Sequence, residues 1–170
     1  MSKISTGLER AFARGGFAEP SVETLREAAG VSLRTLYKYM PSRADMVLAA
    51  LENRHRRYLS HVFDDLPDDA GHATDAILSR IGTWMASEAS HGCLFHAAVA
   101  ADPGSEPLRS LLERHKSEVA SRAAAATGLV AAETELFVIV EGLTQAWPLR
   151  GDAAIDAARR LCHALRVSLD

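Results

Sequence analysis

The sequence predicts an all-α chain of about nine helices in two parts: a three-helix front, a fourth helix leading out of it, and a longer helical body. Three observations carry this. Apolar residues recur at steps of three and four along most of the chain, no alternating strand pattern competes with them, and Gly, Pro and Ser punctuate the runs at helix length. Composition agrees, since the 170 residues are rich in Ala, Leu, Arg and Glu and only 6% aromatic.

The elements follow in order. Ile4, Leu8 and Phe12 recur every four residues, and their helix stops at Gly15-Gly16. Pro20-Ser21 opens a short helix with Ser21 as N-cap and Val22, Leu25 and Ala28 or Ala29 facing inward. Gly30 supplies a tight turn, and Ser32 caps a third helix that ends near Met40-Pro41. Ser42 caps a fourth, running to about Phe63. The stretch "DDLPDDAGH" (64–72) reads as a polar connector. Helices are then expected near 73–90, 93–101, 105–127, 132–147 and 153–168, separated by Gly92, "DPGS", Gly128 and "PLRGD".

Cys93 and Cys162 lie far apart without repeated spacing, which argues against a disulfide framework or a zinc module. No apolar run reaches the roughly 18 residues of a membrane span, and no signal-peptide pattern opens the chain, so a cytoplasmic protein without membrane contact is expected. Gly-rich phosphate loops, nucleophile elbows and paired metal motifs are missing, so neither an enzyme nor a cofactor nor a metal site is expected. Net charge is −3 but uneven. Residues 1–60 hold ten Lys or Arg against six Asp or Glu (net +4), and residues 61–170 hold nine against sixteen (net −7). A basic front suits a polyanionic partner.

The front has the chemistry for one. Helix, glycine turn and second short helix form the helix-turn-helix plan, whose second helix enters the DNA major groove. At about 100° per residue, Leu36 and Met40 share the inward side of the third helix, while Arg34 and Lys38 fall opposite. Leu33 and Tyr37 lie on one flank and Tyr39 on the other. Arg34 suits a bidentate contact to guanine, Leu33 a thymine methyl, and Thr35 a base or phosphate. Tyr37, Tyr39 and Lys38 suit phosphate oxygens. Ser21, Ser32 and Arg43 stand at helix starts, where backbone amides already favour an anion. The basic run Arg54-His55-Arg56-Arg57, further along the fourth helix, reads as a solvated face.

"AAGVSLRTLYKYMPSRADMVLAAL" (28–51) resembles the TetR family of bacterial transcriptional regulators, whose pattern is "AGVS..TLY.HF.SK..L". Ala29-Gly30-Val31-Ser32, Thr35-Leu36-Tyr37 and Ser42-Arg43 with Met46 carry the match, which extends over roughly residues 4–63. The resemblance implies that Ser21, Thr35, Tyr37, Tyr39 and Arg43 bind phosphate and that residues 33, 34 and 38 set specificity. Tyr39, Met40 and Arg43 depart from the usual His, Phe and Lys but keep the chemistry. Arg26 stands where the family has a small apolar residue, and either snorkels outward or touches DNA. The expected division is a DNA-binding head over 1–45 and an effector-binding, dimerising body over 46–170.

In the body, Leu136, Val140, Leu143 and Trp147 recur at steps of four, three and four, as do Ile155, Ala158, Cys162 and Leu165 at three, four and three. Such seams suit bundle packing and suggest a homodimer interface, the alternative being core within one chain. Gly142 would allow close helix approach. "HGCLFHAAVAAD" (91–102) resembles a "GCLF" stretch of the same family. His91, Cys93 and His96 lack an obvious fourth metal ligand, so a redox or metal sensor using Cys93 is kept as an alternative. Trp84, Met85, Phe95, His96, His115, Phe137, Glu141, Gln145 and Trp147 are candidate liners of a pocket for a small, largely apolar effector. The expected function is a ligand-responsive regulator, most simply a repressor released from a palindromic operator. The rival class is a helical interaction module without DNA binding.

Overall fold

The computed structural model describes residues 2–89 and 92–169, the backbone alone at Ser2. Every regular element among them is helical: α1 Ser2–Gly15, α2 Val22–Ala29, α3 Leu33–Tyr39, α4 Arg43–Phe63, α5 Ala70–Glu88, α6 Leu94–Ala101, α7 Glu106–Thr127, α8 Glu133–Arg150 and α9 Asp152–Val167, with a 3₁₀ turn Val130–Ala132 before α8. Two compact units emerge. The first groups the chain through Arg57 with Leu94–Arg114, and the second groups Tyr58–Cys93 with the chain from His115 onward.

The first unit is built on α1. Leu8 and Phe12 are fully buried, as are Leu25 of α2, Leu36 of α3 and Met46 of α4. Each such side chain contributes about 1.5–3 kcal/mol on burial. Phe17 stacks on Phe12 with ring centroids 5.2 Å apart. A Cβ at Gly7 would lie 2.0 Å from the Ala28 carbonyl oxygen, so only glycine permits this approach of α1 to α2. Arg114 of α7 reaches Glu52 of α4 at 2.6 Å.

The run Arg54–Arg57 overturns the solvated-face reading. Arg54 is 3% exposed and His55 is also buried. Arg54 and Arg57 both pair with Glu9, itself 1% exposed. Arg54 and Arg57 are turned against a buried carboxylate on α1, while Arg56 stays exposed as expected.

In the second unit Ile77, Leu78, Ile81, Trp84 and Met85 of α5 pack with Val119 and Ala123 of α7, Leu136, Val140 and Leu143 of α8, and Ile155, Ala158 and Cys162 of α9. Two arginines close helix ends, where carbonyls lack intrahelical donors. Arg80 donates to the carbonyl of Val62 in the last turn of α4 and to those of Asp64 and Asp65 beyond it, in the turn where Asp65 takes a φ of 51°. Arg166 donates to Thr127 O at 2.8 Å at the end of α7.

Two boundaries differ from expectation. Helix α5 begins at Ala70 because Asp69 caps it, accepting from the His72 backbone N–H at 2.8 Å. That hydrogen bond holds the Asp69 carboxyl below its ordinary range. Helix α8 runs through Pro148 to Arg150 instead of stopping before it. Proline removes one donor, yet Gly151 N–H still closes the last turn onto Trp147 O at 2.8 Å.

Candidate nucleic-acid interface

The interface is built from two caps and a glycine. Ser21 has extended backbone (φ −66°, ψ 162°), and its Oγ accepts from the Thr24 N–H at 3.1 Å. Ser32 does the same for Thr35, also at 3.1 Å, and the Thr35 hydroxyl lies 2.9 Å from its Oγ. These bonds satisfy backbone donors that would otherwise be orphaned. Between the helices Gly30 adopts φ 66°, ψ 33°, and the amides of Gly30 and Val31 reach back to Glu27 O and Arg26 O. A side chain is strained in that left-handed conformation, so glycine is needed to turn the chain.

The sides of α3 then divide cleanly. Leu36 and Met40 are 0% and 2% exposed and anchor the helix, while Leu33, Tyr37 and Tyr39 are 40%, 44% and 48% exposed. Arg34 and Lys38 point to solvent between them. No ion pair among the described residues takes up either charge; Lys38 only overlies the Tyr39 ring, 5.6 Å from its centroid. An anchored short helix with an uncompensated basic, aromatic outer face is suited to a polyanion groove.

Residues 6–50 match the family described as bacterial regulatory proteins, tetR family. That match covers the front of the chain, from α1 into α4. The α2–Gly30–α3 helix-turn-helix lies within the matched residues. Three similar solved structures are all TetR regulators. One from Streptomyces coelicolor has a TM-score of 0.78 at 21% identity, covering 98% of this chain and 93% of its own. One from Haloarcula marismortui has 0.78 at 15%, covering 98% and 95%. One from Rhodococcus sp. has 0.72 at 25%, covering 100% of both. No curated protein matches the sequence.

Arg43 and Arg26 behave otherwise than the arginine and lysine of α3. Arg43 donates Nη1 to Pro20 O and Nη2 to Phe17 O, both at 2.8 Å, with its guanidinium 5.7 Å from the Phe12 ring centroid. It braces the α1–α2 turn, a role its place in the motif does not announce. Arg26 is held on its own helix by Glu23 at 2.6 Å and Glu27 at 3.2 Å.

The other expected sites lie further along the chain. Leu136, Val140, Leu143, Ile155, Ala158 and Cys162 are each at most 9% exposed, and Trp147 and Leu165 pack against them, within the core of the second unit. The outward residues of α8 and α9 include Val138 (62% exposed), Leu149 (83%), Leu161 (54%) and Val167 (61%), with Gly142 on the same exposed side.

Of the expected effector liners, Trp84, Met85 and His115 are buried, and Tyr58 packs edge-on to both Trp84 and His115 with centroids 5.3 Å apart. Phe95, buried, and His96, exposed, belong to the first unit. On α8, Phe137, Glu141 and Trp147 are half-buried and Gln145 is exposed. Glu141 accepts from Lys116 Nζ at 2.7 and 2.9 Å, and the same Nζ lies 3.7 Å from Cys93 Sγ. The Trp147 indole N–H is buried without a hydrogen-bond partner among the described residues.

No group of three His, Cys, Asp or Glu among the described residues is placed to hold a metal ion, and His91 lies outside those residues. Among the described residues no helix is long and apolar enough to cross a membrane.

Proposed function

We propose that this chain is a homodimeric repressor that binds a palindromic operator and is released by a small, largely apolar effector. The observation that carries the reading is the pair Arg34 and Lys38, outward and unpaired on a helix held by Leu36 and Met40. Arg34 reads guanine, with Leu33 and Lys38 beside it. Ser21, Ser32, Thr35, Tyr37 and Tyr39 set the register on phosphates. Residues 1–45 act as the head and 46–170 as the body.

A second copy docks on the outward apolar side of α8 and α9 around Val138, Gly142 and Leu161, because the inward seam is already used by the chain's own core. Two copies present the two recognition helices that a palindrome requires. The effector meets the half-buried residues of α8, where Trp147 offers an unused donor and Glu141 with Lys116 a polar anchor. Release is a population shift, in which an effector favouring wrongly spaced heads weakens operator binding by typically about 1–3 kcal/mol.

Selection of bound duplexes from random DNA, followed by gel-shift at several salt concentrations, tests this. Sequence-selective, salt-sensitive binding that is lost on replacing Arg34 and Tyr37 by alanine is expected. Binding unchanged in that double variant sinks the site assignment. Failure to select any sequence favours a helical interaction module.

A further inference from the structure

The first unit holds a buried charge cluster that the DNA-facing residues do not explain. Glu9 Oε1 accepts from Arg54 Nη1 at 3.2 Å and from Arg57 Nη1 at 2.6 Å. Its Oε2 accepts from Asn53 Nδ2 at 2.6 Å, and that amide also reaches Thr6 Oγ1 at 3.3 Å. Glu9 and Arg54 are 1% and 3% exposed, and Arg57 reaches solvent. A cluster of this kind is a poor source of net stability, since desolvating the ions offsets most of their attraction. Its best-attested use is to specify one register of packing.

The geometry suits that use. Apolar helix faces tolerate sliding, whereas a shift of one helical turn, about 5.4 Å, would break every hydrogen bond to Glu9 and strand its charge out of water. Arg43 adds a second polar fixing at the start of α4, on Phe17 O and Pro20 O beyond α1. The two fixings lie eleven residues apart on α4, about 16 Å at 1.5 Å per residue. Together they leave α1 and its following turn a single setting along α4, and the helix-turn-helix is carried on that frame.

We propose that the Glu9–Arg54–Arg57 cluster is a register lock, and that Glu9 is a positioning residue for operator recognition. By fixing α1 against α4 it sets how each recognition helix is presented along α4, and so the half-site spacing a dimer accepts. This rests on the DNA-binding reading above.

The test compares wild type, Glu9→Gln and the apolar pair Glu9→Leu/Arg54→Met. The probes are the duplex selected by wild type and the same duplex with one base pair inserted between its half-sites. The apolar pair removes Glu9 and Arg54 together and leaves the Asn53 amide with Thr6 Oγ1 as acceptor, so the variant is expected to remain folded, which its melting temperature checks. Its affinity for the selected duplex should nevertheless fall about tenfold, with the preference between the two spacings narrowed. Wild-type affinity and spacing preference in that folded variant would overturn the proposal and leave the cluster a structural feature only. Glu9→Gln approaches the question from the other side: measured well below its melting temperature, it too should lose spacing preference, and retention there would equally overturn the proposal. A wild-type protein that selects no duplex refutes the DNA-binding reading instead.

Discussion

Gly7 of α1 sits against Ala28 of α2 so closely that a methyl group on Gly7 would overlap the Ala28 carbonyl oxygen, 2.0 Å away. The obstacle is backbone, which cannot swing aside as a side-chain tip can. Gly7→Ala is therefore expected to lower stability by at least the roughly 1–3 kcal/mol of ordinary overpacking. Urea denaturation checks this, with DNA binding falling in parallel because α2 carries the turn into α3.

Arg34→Ala should cost about 1–3 kcal/mol of operator affinity and relax preference at one base position, whereas Tyr37→Phe should weaken all sequences alike. Fluorescence anisotropy against the selected duplex and its single-base variants separates the two. Equal losses across every sequence for Arg34→Ala would move that residue from reading to positioning.

Arg43→Ala has a different expected signature. It removes two charge-assisted hydrogen bonds from the carbonyls of Phe17 and Pro20, each worth roughly 1.5–3 kcal/mol. The thermal midpoint should drop while the dependence of affinity on salt keeps its slope. A slope reduced by about one unit, the mark of one lost phosphate contact, would return Arg43 to the DNA-binding set.

Substitutions on opposite sides of the last two helices should part company. Leu161→Glu, at a position 54% exposed, is expected to leave the fold intact and shift the protein to monomer in sedimentation. Leu143→Glu, at a position 2% exposed, should unfold the second unit, since it buries an unpaired charge. A dimeric Leu161→Glu variant would place the interface elsewhere.

Burial pushes the Cys162 thiol up from 9.0 to about 11, with Arg166 opposing and Asp75 assisting. The folded state thus holds this proton where the unfolded chain releases it. The resulting stability is present below pH 9 and lost as pH rises from 9 towards 11. Cys162→Ala should flatten that alkaline decline in denaturation midpoints. In the native protein near neutral pH, half-buried Cys93 should be modified by a thiol reagent well before Cys162.

Much of the head was legible because its determinants are local. Ser21, Gly30 and Ser32 act on residues within four positions of themselves, and a helical period places Leu36 and Met40 opposite Arg34 and Lys38. Boundaries slipped where a cap such as Asp69 lay inside an apparently featureless polar stretch, and where α8 tolerated Pro148 in its last turn.

The seam Leu136–Val140–Leu143 shows the limit of periodicity. Its spacing announces a buried face without naming what buries it, and the chain's own α5, α7 and α9 supply the partners.

What the sequence alone determined, then, is the set of helices, the serine caps of α2 and α3 and the two-sided character of α3, all consequences of short-range backbone geometry. Only the tertiary structure decided which charges are buried and with whom. Arg43, Arg54 and Arg57 look as solvated as Arg34 in the sequence, yet Glu9 lies 45 residues from Arg54 along the chain. Pairing depends on distance through space, and that distance exists only once α1 and α4 have packed.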